Sequence, residues 1–438
     1  MSAETGKLRT AELMPHPVRG PGADFRVAVA AADYAFAAFI ILISADAFMF
    51  LGVHSFLWLA AYGYIALRIL LSFRRFLDFL LRNLVYLGFP ALALVSTIWS
   101  DLPAETVRLS LQLIVTTLIA LFIGMRLAPR EILWITGAVL LVLMAASMAN
   151  IGGAIGPAYN DDGNFMGIFL SKNAFGHRSV VFTVTAVFMI FLLRGQRLVV
   201  RIAFLAGLAI TAQMVSISGS ATAVVLTLAM GGLSIAVSLA LLPRIGPVIM
   251  ALPLTLVLAT SMILLIALRF DPVGPLFDAL GKDATMTGRT ILWEFGIEKW
   301  LDRPWLGYGA AGFWTHPAHL NDIAIYQARY GETVHGFHSL PVELLVMFGP
   351  LGLVVHGAIA LATLGRALRA SGAEGAAAVW LLVTTLAIYG MAMVGPQLHT
   401  PHSVALILVV AGGASLTPAP RRRGNRPALE ALTRPSAV

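Results

Sequence analysis

The sequence predicts an all-α polytopic membrane protein, and three observations support this prediction. Of the 438 residues, 58% are hydrophobic and only 12% are charged, and the mean hydropathy is +0.85. A soluble fold could not bury so much apolar surface. The apolar residues also form about twelve runs, each near the length of roughly 20 residues that a helix needs to cross a bilayer. One polar interruption, residues 269–340, is far longer than an ordinary connection between helices.

The apolar runs place the predicted helices along the chain. In order, their approximate bounds are 30–50, 53–73, 83–100, 108–127, 131–149, 178–194, 198–217, 220–242, 246–268, 341–364, 376–395 and 402–417. They define one transmembrane domain over residues 27–418, between a hydrophilic tail, 1–26, and a basic tail, 419–438. The first tail lacks the apolar core of a signal peptide, so we expect it to stay in the cytoplasm. The chain has no cysteine, which excludes disulfide and thiol chemistry.

The basic residues predict how the helices are oriented. With the N-terminus inside, about two thirds of the Lys and Arg residues fall on the cytoplasmic face, as the positive-inside rule requires. Topology therefore explains the net charge of +8, and no nucleic-acid partner is needed. We expect an inner-membrane protein with both termini in the cytoplasm. Two long loops, 150–178 and 269–340, then lie on the extracytoplasmic side, the second between helices nine and ten.

Ionisable residues are scarce within the predicted spans. Spans three to nine carry none near mid-membrane, which argues against an ion-coupled transporter because proton and ion pathways are usually built from such residues. Carriers of neutral substrates escape this argument. Asp33 and Asp46 lie in the first span and are either functional or placed near its two ends.

The stretch from Thr287 to Gly309 predicts a helix in the large loop. Thr287 is suited to cap a helix that begins near Arg289. The helical period places four apolar residues on one face, namely Trp293, Ile297, Trp300 and Leu301. Such a helix is suited to lie at the membrane interface. Its N-terminal N–H groups and Arg289 together favour a bound phosphate, although Arg289 contacting only lipid headgroups is the alternative.

Histidines near the end of this loop are candidates for proton transfer. His338 precedes Pro341, where the tenth span begins, so it lies near the bilayer surface. There it could take a proton from a sugar hydroxyl or bind a phosphate oxygen; the alternative is a hydrogen-bonded interfacial histidine. His335 is close enough to compete. His316 and His319 lack a convincing third ligand, so no metal site is predicted.

Two further polar segments are candidates. Lys172, Asn173, His177 and Arg178 cluster before the sixth span, where they would suit an anionic headgroup or simply begin a solvated helix. The segment from Ser216 to Thr222 joins two spans with small and hydroxyl residues, which allow helices to approach closely. A serine nucleophile would need a neighbouring base, and none is adjacent, so a tight hairpin is the alternative.

The order of these segments resembles the bacterial O-antigen ligase and polymerase superfamily, which includes exopolysaccharide polymerases of the succinoglycan type. The likeness covers roughly residues 165–355 and the twelve-span layout. Five blocks carry it: SKNAFGH (Ser171 to His177), SISGSATA (Ser216 to Ala223), TGRTILW (Thr287 to Trp293), RPWLGYG (Arg303 to Gly309) and HSLPVELLVMFGPLG (His338 to Gly352).

The resemblance implies a GT-C-like fold and a metal-independent membrane glycosyltransferase without a cofactor. Such enzymes transfer a glycan from undecaprenyl diphosphate to an acceptor sugar at the periplasmic face. The family's key arginine and histidine correspond to Arg289 and His338. The expected diphosphate- and substrate-binding residues are Arg178, Lys172, Asn173, Ser220, Trp293 and His335. The expected partners are the lipid-linked oligosaccharide, an acceptor glycan, the bilayer, and chain-length regulator and export proteins.

The chain departs from the family pattern at two positions. Many members have an arginine after the hairpin serine, whereas here Ala221 follows Ser220; Arg178 and Lys172 are candidates to supply the missing cation. Ser339 replaces the asparagine that often follows the histidine. Both departures resemble the exopolysaccharide polymerase branch more than the branch that ligates O-antigen to lipid A core.

Three alternatives to a polymerase stay open besides the ligase. A transporter or flippase of lipid-linked sugars should show charged or broken helices around a central cavity. A peptidoglycan polymerase of the shape and division group would place an essential acidic residue in its large outer loop. Candidates for that residue are Asp271, Asp278, Asp283 and Glu332. A non-enzymatic partner protein would tolerate loss of both Arg289 and His338.

Overall fold

The fold is helical, as the sequence predicts. The computed structural model describes residues 21–191, 197–241, 289–330, 336–372, 375–395 and 398–418. Within these ranges the only β pairing is two isolated bridges, Ala47 with Phe169 and Tyr159 with Phe165.

We number the α-helices of the described residues in chain order. They are α1 Pro21–Ile43, α2 His54–Leu71, α3 Phe73–Leu81, α4 Gly88–Val95, α5 Pro103–Arg126, α6 Pro129–Ala149, α7 Lys172–Phe191, α8 Leu198–Ile217, α9 Ala221–Ala240, α10 Arg289–Asp302, α11 Pro317–Tyr330, α12 Leu340–Phe348, α13 Pro350–Ala370, α14 Ala376–Ala392 and α15 Val404–Ser415. Short 3₁₀ turns cover Met49–Leu51, Leu84–Leu87 and Ser96–Ile98.

The helices confirm a multi-pass membrane protein. Among the described residues, seven helices are long and apolar enough to cross a bilayer: α2, α5, α6, α7, α8, α9 and α13. The stretch from α3 to Ile98 would make an eighth, bent by 86° at its break. The predicted span 246–268 lies outside the described residues, so the total of twelve stays a prediction.

Helix α7 lies at the centre of the bundle. In its most apolar stretch 83% of the residues are buried, and it packs against α6, α8, α9 and α14. Gly176 lets α9 approach closely, because a Cβ there would lie 2.6 Å from the Cβ of Ala223. The N-terminal end of α7 is thereby fixed against the start of α9, and both ends contribute to the site described below.

The predicted span 341–364 is two helices rather than one. Gly349 separates α12 from α13 with a φ of +61°, a conformation that favours glycine. Pro350 follows and cannot donate a backbone hydrogen bond to continue the helix. The break leaves α12 as a short helix of nine residues ahead of the candidate span α13.

The described part of the large loop has its own small core. Helices α10 and α11 enclose it with the segment that leads into α12. The buried members are Leu292, Tyr308, Phe313, Ile323, Tyr326, Phe337, Val342 and Val346. The described part of helix α10 runs from Arg289; the proposed capping residue Thr287 lies outside the described residues, so the predicted start of the helix stays a prediction.

The apolar face predicted for α10 differs from the one that is buried. Leu292 and Gly296 are the buried residues, because a Cβ on Gly296 would lie 2.3 Å from Val342 and the helix packs there against α12. Trp293 and Trp300 are partly buried against the same core. Ile297 and Leu301 stay exposed.

The RPWLGYG turn fastens the loop to the bundle through its backbone. The N–H groups of Tyr308 and Gly309 donate to the carbonyls of Val346 and Met347 at 2.8 and 2.9 Å. Gly307 has a φ of +61°, and a Cβ there would lie 2.3 Å from the Val346 oxygen. The glycines of this motif therefore permit contact between two backbones. Away from this contact, Arg303 pairs with Asp101 at 2.9 Å.

Asp33 forms ion pairs with two arginines of neighbouring helices. Its buried carboxylate lies 2.8 Å from Arg68 of α2 and 2.5 Å from Arg126 of α5. Both arginines lie in the last turns of their helices. Asp33, which lies within α1, therefore ties three helices together where α2 and α5 end.

Candidate functional site

One cavity brings together residues from distant parts of the chain. Its volume is about 220 Å³. Four of the predicted site residues line it: Asn173, Arg178, Arg289 and His338. The lining also includes Asp46, His177 and the segment Thr400–Ser403. Arginine and histidine residues that are far apart in sequence thus face one space.

Arg289 reaches the cavity from the first turn of α10. Its Nη1 donates to the hydroxyl of Thr222 at 3.3 Å, and Thr222 lies in the first turn of α9. The hydrogen bond joins the large loop to the Ser-rich hairpin. The charge of the guanidinium favours an anion at this side of the cavity.

His338 has an unusual backbone, with a φ of +51°. Few non-glycine residues adopt this conformation, and it persists only where the surroundings impose it. The carboxylate of Glu343 accepts the N–H of the preceding residue, Phe337. The indole N–H of Trp293 donates to the Phe337 carbonyl at 3.0 Å. Two side chains from different helices therefore hold the segment that carries His338.

Glu343 is well placed for this role because it is buried. Its side chain is 2% exposed, and its carboxylate also receives the indole N–H of Trp314 at 3.4 Å. The backbone N–H of Glu343 donates to the Ser339 carbonyl at 2.9 Å. The residues on both sides of His338 are thus bonded to the first turn of α12.

Burial and the nearby Arg289 charge lower the pKa of His338 to about 4. The imidazole is therefore neutral at neutral pH and has one nitrogen that can accept a proton or a hydrogen bond. A neutral base beside a cation is sensitive to bound charge, because an anion that approaches both groups would favour the protonated ring.

Arg178 lies on the other cationic side of the cavity and is 4% exposed. Its Nη2 lies 2.5 Å from the carboxylate of Asp46, and its Nε donates to the Ala45 carbonyl at 3.1 Å. Asp46 has a φ of +57°, and its carbonyl accepts the N–H of Leu170 at 3.1 Å. Asp46 therefore lies just beyond the end of α1, in the cavity wall.

The Ser-rich hairpin supports the cavity from behind. Ser220 caps α9 by accepting the N–H of Ala223 at 3.3 Å, and its hydroxyl lies 3.5 Å from Asn173. Gly219 has a φ of +62°, and a Cβ there would clash with Asn164. The segment is thus a tight hairpin, with Ser220 next to the lining residue Asn173.

The remaining predicted site residues lie outside the described lining. Lys172 is the first residue of α7, beside the lining residues Ser171 and Asn173. Trp293 holds the His338 segment. His335 lies outside the described residues. The assignment of ligand-binding roles to all of these residues stays a prediction.

Sequence reasoning did not assign a site role to Glu343 or His402, and it left Asp46 and the segment containing Thr222 as open alternatives. Thr222 and Glu343 form hydrogen bonds to the site, and Asp46 and His402 line the cavity. Their partners are remote in sequence, apart from the contact of Glu343 with Phe337, so local patterns offered no signal. Within the described ranges no group of three or more His, Asp or Glu residues could hold a metal ion; independence of metal stays a prediction.

Two comparisons with known proteins bear on this site. A family model described as O-antigen ligase (Wzy_C) matches residues 206–357, a range that contains Ser220, Arg289 and His338. The exopolysaccharide production protein ExoQ of Rhizobium meliloti (strain 1021) is 28% identical over 308 residues, or 68% of each chain. These matches confirm the resemblance to the O-antigen ligase and polymerase superfamily. They support polysaccharide polymerisation or ligation in general.

Proposed function

We propose that this relative of the O-antigen ligases and polymerases transfers a glycan from undecaprenyl diphosphate to an acceptor sugar. The proposed reaction is polymerisation of exopolysaccharide or O-antigen repeat units at the periplasmic face of the bacterial inner membrane. One observation carries the proposal: Arg289 and His338 meet in a single cavity with Arg178. Two guanidinium groups and an imidazole suit a reaction in which a diphosphate leaves and a hydroxyl loses its proton.

The reaction balances without a further reagent. A hydroxyl oxygen of the acceptor sugar attacks the anomeric carbon of the lipid-linked glycan and forms the new glycosidic bond. The bond from that carbon to the diphosphate oxygen breaks, and its electron pair leaves with the diphosphate. The hydroxyl proton passes to a base. The products are the longer glycan and undecaprenyl diphosphate.

The two arginines have complementary roles in this scheme. Arg289 would stabilise the negative charge that grows on the leaving diphosphate, because preorganised donors act most strongly where charge develops. Arg178 is already paired with Asp46, so its charge is partly balanced before the substrate binds. Arg178 is our candidate for the cation that Ala221 does not supply.

His338 would orient the acceptor hydroxyl or take its proton. With a pKa of about 4 it is a weak base in the empty site. A bound diphosphate would offset the Arg289 charge and raise the pKa of His338, because an anion favours the imidazolium form. Proton transfer is most efficient when the pKa of the base approaches the working pH. Substrate binding would in this way prepare its own base.

The exposed apolar residues of the described loop support access from the membrane. Trp305 is 80% exposed and Leu301 is 62% exposed, and Leu306 and Ile297 are also exposed nearby in the chain. Tryptophan and leucine in such positions are suited to the bilayer interface. We propose that this surface faces the periplasmic leaflet, where a lipid diphosphate would enter. Chain-length regulators and export proteins are the proposed partners.

Deletion of the gene tests the reaction, because three alternatives leave different products. Loss of a polymerase leaves single repeat units on the lipid and no polymer. Loss of a ligase leaves full-length polymer on the lipid. This outcome is included because the matching family model is described as O-antigen ligase. Loss of a flippase leaves lipid-linked repeat units on the cytoplasmic side. If the surface glycan is unchanged after deletion, the protein is not the polymerase, the ligase or the flippase for that glycan.

A further inference from the structure

The cavity has a second kind of wall, built by the chain just before α15. Its described lining residues in this segment are Thr400, Pro401, His402 and Ser403. None of the four is a lysine, arginine, aspartate or glutamate, so this segment carries no permanent charge. The cations of the lining described above come instead from α7 and α10. We call residues 400–403 the neutral wall.

His402 is held in place by two helices of the bundle. Its ring stacks on Trp58 of α2, with centroids 4.0 Å apart and planes inclined by 17°. Its Nε2 is hydrogen-bonded to the hydroxyl of Tyr62, one turn further along α2. Its backbone N–H donates to the hydroxyl of Thr116 in α5 at 3.2 Å.

The backbone of His402 is also unusual. Its φ of +66° makes it, with His338, Asp46 and Phe48, one of the non-glycine residues in the left-handed region within the described ranges. Such conformations cluster at functional sites, where the surroundings impose them. Three of these four residues line the cavity. Asp46, His338 and His402 therefore each combine a left-handed backbone conformation with a place in the cavity lining.

The hydrogen bond to Tyr62 leaves one ring nitrogen for the cavity. Nε2 is engaged, while Nδ1 makes no hydrogen bond with any residue in the part of the chain that the structure describes. Imidazole nitrogens that are largely enclosed normally find a hydrogen-bond partner. The Tyr62 hydroxyl can donate to Nε2 or accept from it, so Nδ1 can serve a ligand hydroxyl as a donor or as an acceptor.

We propose that His402 and Thr400 form a subsite for the acceptor sugar, in which Nδ1 of His402 hydrogen-bonds a sugar hydroxyl. An uncharged ligand rich in hydroxyls fits a wall of imidazole and hydroxyl groups, whereas the diphosphate fits the arginines. His338 lies close enough to Arg289 for that charge to lower its pKa, so His338 belongs to the side of the diphosphate. His402 lies in the neutral wall instead, and the third histidine of the lining, His177, belongs to α7 together with Arg178. This inference rests on the proposed glycan transfer.

The test compares two binding events in purified protein in nanodiscs. The donor is the lipid-linked repeat unit that accumulates in the deletion strain, and the acceptor is the free oligosaccharide released from it. His402→Phe keeps a ring to stack on Trp58 and removes both nitrogens. We expect the KM for the acceptor to rise about five- to tenfold, the loss of one hydrogen bond. The Kd for undecaprenyl diphosphate, measured by thermophoresis, should stay unchanged.

Two further variants keep the test decisive if His402→Phe does not insert into the membrane. His402→Asn tolerates the left-handed backbone and keeps polar groups but loses the stack, so it should also raise the KM for the acceptor. Tyr62→Phe removes the hydrogen bond that holds the His402 ring at Nε2 and should raise the KM for the acceptor less. His316→Asn, a histidine of the outer loop outside the cavity lining, is the matched control and should leave both constants unchanged.

The outcomes separate this inference from the proposed function. Active wild-type protein with an unchanged acceptor KM in the His402 variants would overturn the acceptor subsite alone. A rise in the Kd for undecaprenyl diphosphate with no change in the acceptor KM would place the neutral wall on the donor side, which also overturns it. Wild-type protein that releases no lipid diphosphate with this donor and acceptor would contradict the proposed transfer itself.

Discussion

The guanidinium of Arg289 is anchored on the hydroxyl of Thr222, with Nη1 and Oγ1 3.3 Å apart. This hydrogen bond joins Arg289 of α10, in the large loop, to the first turn of α9 in the bundle. It holds a cation at the cavity through a contact between residues that are 67 positions apart.

The first prediction concerns the Arg289 charge and its anchor. Arg289→Ala should abolish transfer and weaken undecaprenyl diphosphate binding, because it removes a charge-assisted hydrogen bond of roughly 1.5–3 kcal/mol. Thr222→Val should cause a smaller loss of the same kind, since the charge remains but its position is less defined. Thermophoresis with undecaprenyl diphosphate measures both. Arg108→Ala, at an exposed ion pair, is the control; equal binding by Arg289→Ala and Arg108→Ala would disprove the assignment.

The second prediction concerns the pKa of His338. Burial and the Arg289 charge lower it to about 4. Arg289→Gln removes the second cause and leaves the first, so the pKa should rise yet stay below the usual value. The rate at which diethyl pyrocarbonate modifies His338 reports this, because only the unprotonated ring reacts. Followed by mass spectrometry, the midpoint of the pH profile should move to higher pH in Arg289→Gln.

The same measurement tests the influence of the substrate. Undecaprenyl diphosphate should move the midpoint to higher pH in the wild-type protein, because the anion favours the imidazolium. It should have little effect in Arg289→Ala, which binds the lipid weakly. Arg108→Gln supplies the matched control. If neither the lipid nor the Arg289 substitution moves the midpoint of the pH profile, His338 lies outside the diphosphate site.

The third prediction assigns Glu343 to positioning. Glu343→Gln puts amide donors into a pocket that already receives the N–H groups of Phe337 and Trp314. A buried unsatisfied donor costs about 1–3 kcal/mol, so the His338 segment should shift and kcat should fall. Binding of undecaprenyl diphosphate should persist, because Arg289 lies on a different helix. Glu298→Gln, on the exposed side of α10, is the control.

A purely structural role for Glu343 would give a different pattern. Glu343→Gln would then lose lipid binding and membrane insertion together with transfer. The pH profile of His338 modification separates the two cases, since a displaced but folded segment changes the reactivity of His338 while that of His316 stays constant.

The fourth prediction concerns the backbone contact between the loop and α12. Gly307→Ala imposes an unfavourable conformation, which costs roughly 1–3 kcal/mol, and places a Cβ 2.3 Å from the Val346 oxygen. The loop should loosen, with faster proteolysis between α10 and α11 and little transfer. Gly357→Ala, where nothing lies within 4 Å of the added Cβ, should leave both unchanged. Equal protease resistance of the two variants would show that the contact does not hold the loop.

Local sequence patterns were sufficient for the elements that depend on nearby residues. The hairpin around Ser220 depends on capping and small residues over a few positions. Patterns were not sufficient where packing between segments decides. The sequence placed Trp293, Ile297, Trp300 and Leu301 on a face for the membrane interface and did not show that α12 packs against Gly296, where glycine permits the close approach. The break at Gly349 was likewise hidden in a continuous apolar run.

The sequence by itself determined that this is a multi-pass helical membrane protein, and it predicted Arg289 and His338 as site residues. Hydropathy needs no knowledge of contacts, because it reflects the transfer of whole segments into a bilayer, and the order of the motifs is read directly along the chain. Only the tertiary structure decided that these residues share a cavity with Arg178, that Asp46 pairs with Arg178, and that His402 supplies a neutral wall. Those relationships depend on helix packing between segments more than a hundred residues apart, which no local pattern records.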